Sequence, residues 1–264
     1  MNLKSIFKKT QMIISVIIPI TLISCAGDIT SSLGEEGNLR YSITTDYYIN
    51  SSLIDSTLAT KITHSIDVDL AKSIEAEESM IITHMIEPSS NSTITNTGSC
   101  PSYNKICVKN ISLKTSSPGA YTITSVNGNK TIDYITLQFD EAETIDIIVK
   151  EREAYQNSFD IKSKPVIAIE GSQVVFIPIP TASDETRLIA NGSYNVECNS
   201  TGLAVPGKNI SDVNEGNNFF DTDGVWSWMG DQNYYLIEEG TVKFTITEIE
   251  SNYQGSIDIT VNKL

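Results

Sequence analysis

From Leu39 onward, apolar and polar side chains take turns along run after run of this chain. Leu39, Tyr41 and Ile43 share one parity, with Arg40, Ser42 and Thr44 on the other; Ile62, His64, Ile66 and Val68 repeat the pattern. Ile106, Val108 and Ile111 follow it more loosely. A period of two sends successive side chains to opposite faces of an extended strand. Alternation, rather than continuous apolar runs, means that each sheet buries one face only, which points to antiparallel sheets packed as a sandwich. Turn signals separate the runs. Asn127-Gly128 lies between residues 121–126 and 130–139, where a tight hairpin turn needs positive φ. Gly171-Ser172 divides residues 166–170 from 173–177, and Gly255 precedes 256–261, the partner of 241–247. Residues 144–149 add another strand, with Ile145, Ile147 and Val149 on one face. Only residues 69–80 have the Ala, Leu, Glu and Lys content of a short helix. The abundance of Ile, Thr, Val and Tyr agrees with an all-β reading.

The start of the chain is different in kind. Lys4, Lys8 and Lys9 precede an apolar stretch, residues 12–23, interrupted by Ser15, Pro19 and Thr21. Twelve helical residues span about 18 Å, short of the ~30 Å hydrocarbon core of a bilayer, so the stretch reads as a secretory leader. It ends in Leu22-Ile23-Ser24-Cys25, which resembles the lipobox of bacterial lipoproteins. The resemblance implies cleavage before Cys25 and a diacylglyceryl group on its thiol. Two or three acyl chains hold a protein stably to a bilayer, whereas one does so marginally. Ala26 after the cysteine is similar to the pattern of enterobacterial lipoproteins of the outer membrane, which implies that location in a host with two membranes. Residues 25–38, with Gly27, Gly34 and Gly37, read as a flexible tether between anchor and body.

The formal charge is −15, and removing the leader takes away three Lys and no acid. So acidic a surface repels nucleic acid and anionic headgroups, which excludes nucleic acid as a partner. The mature length suits one large domain or two small ones. Each of two series of strands closes with a Gly, an alternating strand, a turn and a second alternating strand, starting at Gly119 and at Gly240. This looks like the closing hairpin of immunoglobulin-like domains from bacterial surface proteins, although the Cys…Trp…Cys spacing of antibody domains is absent. The resemblance implies two immunoglobulin-like sandwiches, over residues 39–162 and 163–264. One large sandwich with an inserted helix is the alternative.

Few residues offer chemistry. An exported chain meets an oxidising compartment, and Cys100 and Cys107 are close enough in sequence to close a short disulfide loop; close Cys pairs also recur in the family it resembles. Cys198 then remains as a small buried hydrophobe. His64 and His84 fall in strand-like runs and adjoin no nucleophile or metal-ligand motif, and no signature of hydrolase, zinc-protease or phosphate-binding loop occurs. Asp221-Thr-Asp223-Gly224 matches the middle of an EF-hand loop but fails at both ends; a looser calcium site would use Asp221, Asp223 and Asp231, and otherwise no cofactor is implied. Residues 207–240 combine Asn, Asp and Gly with Trp226, Trp228, Tyr234 and Tyr235. Indoles beside amides and carboxylates suit a sugar platform; they also suit the plug of a small core, and the core is the reading taken here. Two functional readings follow. One is a lipid-anchored envelope protein without catalysis that displays its domains for structure or adhesion. The other is a carbohydrate- or ligand-binding module centred on Trp226 and Trp228. The partners implied are the membrane, and an envelope protein or a glycan.

Overall fold

The computed structural model describes residues 28–45, 52–74, 79–101, 104–152, 160–190, 192–199, 202–207, 225–226 and 233–263. Their regular elements are all strands, and no helix occurs among the described residues. Strands are numbered along the chain. One sheet runs β1 (Asp28–Leu33), β2 (Leu39–Thr45), β4 (His64–Leu70), β8 (Asn110–Thr115), β6 (Ser92–Thr97). Facing it is β3 (Thr57–Ala59), β10 (Lys130–Asp140), β9 (Gly119–Asn127), β5 (Met80–Glu87), β7 (Ile106–Val108). The inward residues of both, among them Leu39, Tyr41, Ile66, Leu113, Ile82, Ile123 and Leu137, make one core.

A second pair of sheets has its own core, with Ile147, Phe176, Tyr234, Phe244 and Ile259 among its members. Its first sheet is β12 (Asp160–Lys162), β11 (Thr144–Arg152), β14 (Gln173–Thr181), β18 (Asn233–Leu236), β16 (Ala204–Gly207). Its second is β13 (Val166–Ile169), β20 (Gln254–Asn262), β19 (Gly240–Glu248), β15 (Tyr194–Cys198), β17 (Val225–Trp226). The two pairs share one plan. β4 and β14, β5 and β15, and so on to β10 and β20 occupy the same places, and β3 and β13 both pair parallel with the last strand. Only the outer pair differs in chain order: β1 precedes β2, whereas β12 follows β11. The central order β2-β4-β8-β6 against β10-β9-β5 is the A-B-E-D and G-F-C order of immunoglobulin domains, and β11-β14-β18-β16 against β20-β19-β15 repeats it. Both closing hairpins start on a glycine with positive φ, +137° at Gly119 and +150° at Gly240, a backbone conformation that a side chain would strain. Near the start of β9, the Tyr121 hydroxyl donates to the Ser117 carbonyl at 3.0 Å, the tyrosine-corner contact of immunoglobulin sandwiches.

Several expectations are corrected. The segment read as a tether, residues 25–38, contains β1, which pairs along its whole length with β2. Its alternation is inverted: Thr30 and Ser32 point inward while Ile29 and Leu33 are exposed, so the period carries no apolar inner face to recognise. Residues 144–149, expected in the first sandwich by the 39–162 boundary, belong to β11 and pair with β14, so the strands of the second unit begin just after Asp140 rather than at 163. Alternation says which face of a strand is buried and nothing of its partner. Residues 166–169 and 173–181 flank a turn, as expected, but sit in different sheets. Of the expected helix, Asp69 and Leu70 end β4 and Met80 begins β5; residues 75–78 lie outside the described residues. The Asn127-Gly128 signal does mark a hairpin, with Asn127 opposite Lys130 and Gly128 at φ +59°.

The two units interlock. Residues 141–143 connect them, and Ala142 is already buried in the second core. Ala59 and Ile62, from the first unit's chain, are fully buried in the second core, while Ile189 is buried in the first. Leu58 and Ile189 form a parallel bridge, with Ala59 N–H donating to Ile189 O (2.9 Å) and Ile189 N–H to Thr57 O (2.8 Å). Around it, Glu250 accepts from Thr63 Oγ1 (2.8 Å) and Lys114 Nζ (2.6 Å), and the Tyr253 hydroxyl lies 3.2 Å from Thr60 Oγ1.

Candidate interaction surface

Cys25, Trp228, Asp221, Asp223 and Asp231 lie outside the described residues. Trp226 contributes backbone to β17, opposite Tyr194 on β15. Tyr234 and Tyr235 do not form an open platform. Tyr234 packs in the second core against Phe244 (5.0 Å between centroids) and Phe176 (6.0 Å), and its hydroxyl donates to Val196 O at 3.1 Å. Burial, with the Cys198 thiol beside it, pushes its pKa up to about 12. Tyr235, on the opposite parity, is buried as well. A doublet of aromatics in one strand is placed on both faces, and both faces of β18 are covered here. Cys100 and Cys107 are bonded to each other, tying β7 to the loop before it; Cys198 takes no part in that bond and lies half-buried against the second core.

The histidines are core residues with different surroundings. His64 donates from Nε2 to Ala59 O (2.7 Å) and meets Phe139 edge-on. Burial drives its pKa down to about 4, against the opposing pull of the Ala59 carbonyl and of Glu250. His84 sits opposite Ser125 across β5 and β9, and the three groups Tyr41, Ser125 and His84 form a chain. His84 Nε2 is 2.6 Å from Lys109 O, an acceptor only, so it carries the proton. Nδ1 then accepts from Ser125 Oγ (2.8 Å), and Ser125 accepts from the Tyr41 hydroxyl (2.6 Å). Burial lowers the His84 pKa, which keeps the ring neutral in this arrangement. A serine donating to a histidine is half of a hydrolase triad. Here the pair is sealed in the core, and a backbone carbonyl stands where the orienting carboxylate would be.

The second unit does without this chain, since Val196 opposite Ile246 occupies the equivalent positions. Ser125→Ala strands both the tyrosine hydroxyl and the imidazole Nδ1 and is expected to cost about 3 kcal/mol. The triple variant Tyr41→Phe, His84→Val, Ser125→Ile is expected to cost less than the sum of its single variants by more than about 1 kcal/mol, as coupled groups do. Urea unfolding of the set measures this; strict additivity would refute the coupling.

The exposed candidate is the outer face of the sheet containing β5, β9 and β10. Met85, Thr124 and Tyr134 stand in one row across these strands, and Thr122 and Thr136 in the next, their hydroxyls 2.9 Å apart. Ile81, Met85 and Tyr134 are 49%, 53% and 37% exposed, and Thr83, Thr122, Thr124 and Thr136 are half-buried between and around them. Reading β5 from sequence misses this face because its inner residues Ile82, His84 and Ile86 carry the recognisable alternation. The available signal is the pair of doublets Ile81-Ile82 and Met85-Ile86, which put apolar side chains on both parities. Among the described residues no group of His, Cys, Asp and Glu is arranged to hold a metal ion, and no helix is long and apolar enough to cross a membrane.

No protein-family model and no curated protein matches the chain. Solved structures do match at low similarity. A C-terminal fragment of intimin, in complex with the intimin-binding domain of its translocated receptor, matches at 13% identity and TM-score 0.29, over 79% of this chain and 62% of that one. The Yersinia pseudotuberculosis adhesin InvE matches at 12% and 0.27, over 79% of this chain and 57% of that one. Domains 5–6 of the S-layer protein SbsC match at 12% and 0.28, over 89% and 99%. The chain thus spans less than two thirds of the intimin fragment and of InvE, and its immunoglobulin topology stands on its own strand order.

Proposed function

We propose that this chain is a lipid-anchored protein of the bacterial envelope that works without catalysis, holding two coupled immunoglobulin-like sandwiches as a stiff binding body. The junction carries this reading. A connection of three residues, an exchange of buried side chains and a backbone bridge are what a spacer that must project a surface requires, and they serve no reaction. The anchor is Cys25, three residues before β1. A body that starts so near its lipid stands directly on the membrane, and the outer membrane is the membrane the Cys25-Ala26 pair favours. The reading needs no cofactor.

Cys25→Ser is expected to leave the protein unprocessed or release it from the membrane fraction. Fractionation and intact-mass measurement check this; a variant still processed and retained would overturn the anchor. The carbohydrate reading keeps one supporting observation, the fixing of Trp226 in β17 against β15. Quenching of tryptophan fluorescence by a sugar panel, lost in Trp226→Ala, would favour it over adhesion to a protein.

A further inference from the structure

Two sheets of the same strand order in one molecule, differing at the edge where β7 runs parallel to β5 and β17 antiparallel to β15, allow the outer faces of their central strands to be compared position by position. Aligning Gly119 with Gly240 sets Met85 against Glu197, Tyr134 against Ser256, Thr122 against Lys243, Thr136 against Asp258 and Thr83 against Asn195. The second sandwich thus has the charged, solvated face that a sheet turned to water carries. The first has Met, Tyr and Thr at the same places, with Ile81 at the end of the row of β5. Folding does not demand this, since the second sandwich folds on the same plan without it.

The face also has a rim. The Glu35 N–H donates to Tyr134 O at 2.8 Å, which puts the exposed Glu35 and Glu36 beside Tyr134, and Glu87 lies beyond Met85 on β5; on the opposite edge Lys105 and Lys109 of the β7 segment share the parity of Cys107, which pairs with Ile81, so the rim is acidic on one side and basic on the other. Strand spacing sets Met85 and Tyr134 about 10 Å apart across Thr124, and Ile81 about 13 Å from Met85 along the strand. An uncharged centre of this size, with a tyrosine and an adaptable methionine, holds as much as the few residues that dominate a protein contact. We infer that this face docks a protein whose contact patch is an aliphatic or aromatic centre with Lys and Arg on the side that meets Glu35, Glu36 and Glu87. The acidic side of the rim, in a chain of formal charge −15, selects basic residues opposite it and works against a second copy of the chain. The inference deepens the display reading by naming its surface. It does not depend on the lipid, so the two fail separately.

The test pans a library of short disulfide-closed peptides on the full processed chain, with Met85→Glu/Tyr134→Ser as the counter-target. That variant carries the residues of the second sandwich at exposed positions, and its melting temperature is compared with wild type to establish folding. The expected peptides place Lys or Arg beside a Trp, Phe or Leu, bind wild type at least about ten-fold more tightly than the variant, and weaken as salt rises. Glu35→Gln/Glu36→Gln/Glu87→Gln is expected to flatten that salt dependence. Peptides that bind the folded variant equally, that lack basic residues, or that fail to enrich would overturn the proposal. So would sedimentation equilibrium showing self-association of wild type that the variant loses. Retention of Cys25→Ser in membranes would overturn the anchor and leave this result standing.

Discussion

Asp133→Ala is expected to remove about 5 kcal/mol of stability, close to the whole of what a small domain possesses. The side chain is completely buried in β10, just after a bulge between Thr131 and Asp133 and on the inward parity of Ile135 and Leu137. Its carboxylate accepts four backbone N–H groups. Oδ1 takes those of Glu36 and Tyr134, both at 2.9 Å, and Oδ2 those of Asn38 and Leu39, both at 2.7 Å. Two of the donors belong to the turn between β1 and β2 and a third, Leu39, opens β2, so one side chain satisfies the backbone of a turn 95 residues earlier in the chain. Gly34 lets that turn close: a Cβ there would sit 2.3 Å from Oδ1. Removing the carboxylate leaves several donors without partners in a site that is largely buried, at about 1–3 kcal/mol each before relaxation. Asp133→Asn is no rescue, because its amide presents hydrogens to donors that also carry them. Urea unfolding measures the loss, and amide exchange should show Glu36, Asn38 and Leu39 losing protection first. A loss below about 1 kcal/mol would mean that the turn holds itself.

Asp133 also marks where sequence reading stops. Within residues 130–139 the alternation correctly places Ile135, Leu137 and Phe139 inward, and by the same parity Asp133 goes inward too. What an inward carboxylate grips cannot be read from its own strand. Glu151 repeats the point in the second unit: it accepts from Ile169 N–H (2.9 Å) and Ser172 Oγ (2.7 Å) and pairs with Lys162 Nζ (2.6 Å). Burial alone would raise its pKa, and these partners more than offset that, holding it below the usual value. Both acids fix a turn through partners chosen by the fold. The faces of β2, β4, β9, β10, β19 and β20 are legible because each has an apolar side and a polar one. β1 is illegible because its inner side is Thr30 and Ser32. The outer face of β5 was hidden by the same period that revealed the strand, since a binding face made of apolar residues blurs the contrast on which reading depends.

Ile189→Ala is expected to cost about 3–4 kcal/mol, in the range for a fully buried isoleucine, and to change the shape of unfolding as well as its midpoint. Wild type should unfold in one transition. Ile189 is anchored in the first core although its chain neighbours Leu188 and Ala182 pack in the second, and Ala59 and Ile62 cross the other way. Neither core is complete without residues delivered by the other unit, so opening one exposes apolar surface of both. The polar contacts at the junction contribute less. The Lys114–Glu250 pair is about 40% exposed on each side and screened by water and salt, although its Thr63 and Lys114 contacts still hold the Glu250 carboxyl below its usual pKa against the opposing effect of burial. Truncating Ile189 keeps the backbone bridge and removes the buried lever, so the first sandwich should lose more than the second and the single transition should split. Scanning calorimetry resolves this: a calorimetric enthalpy matching the van't Hoff value in wild type, and exceeding it in the variant, is the expected pair of results. Two transitions already present in wild type would show that the sandwiches fold independently, and the stiff junction on which the display reading rests would go with them.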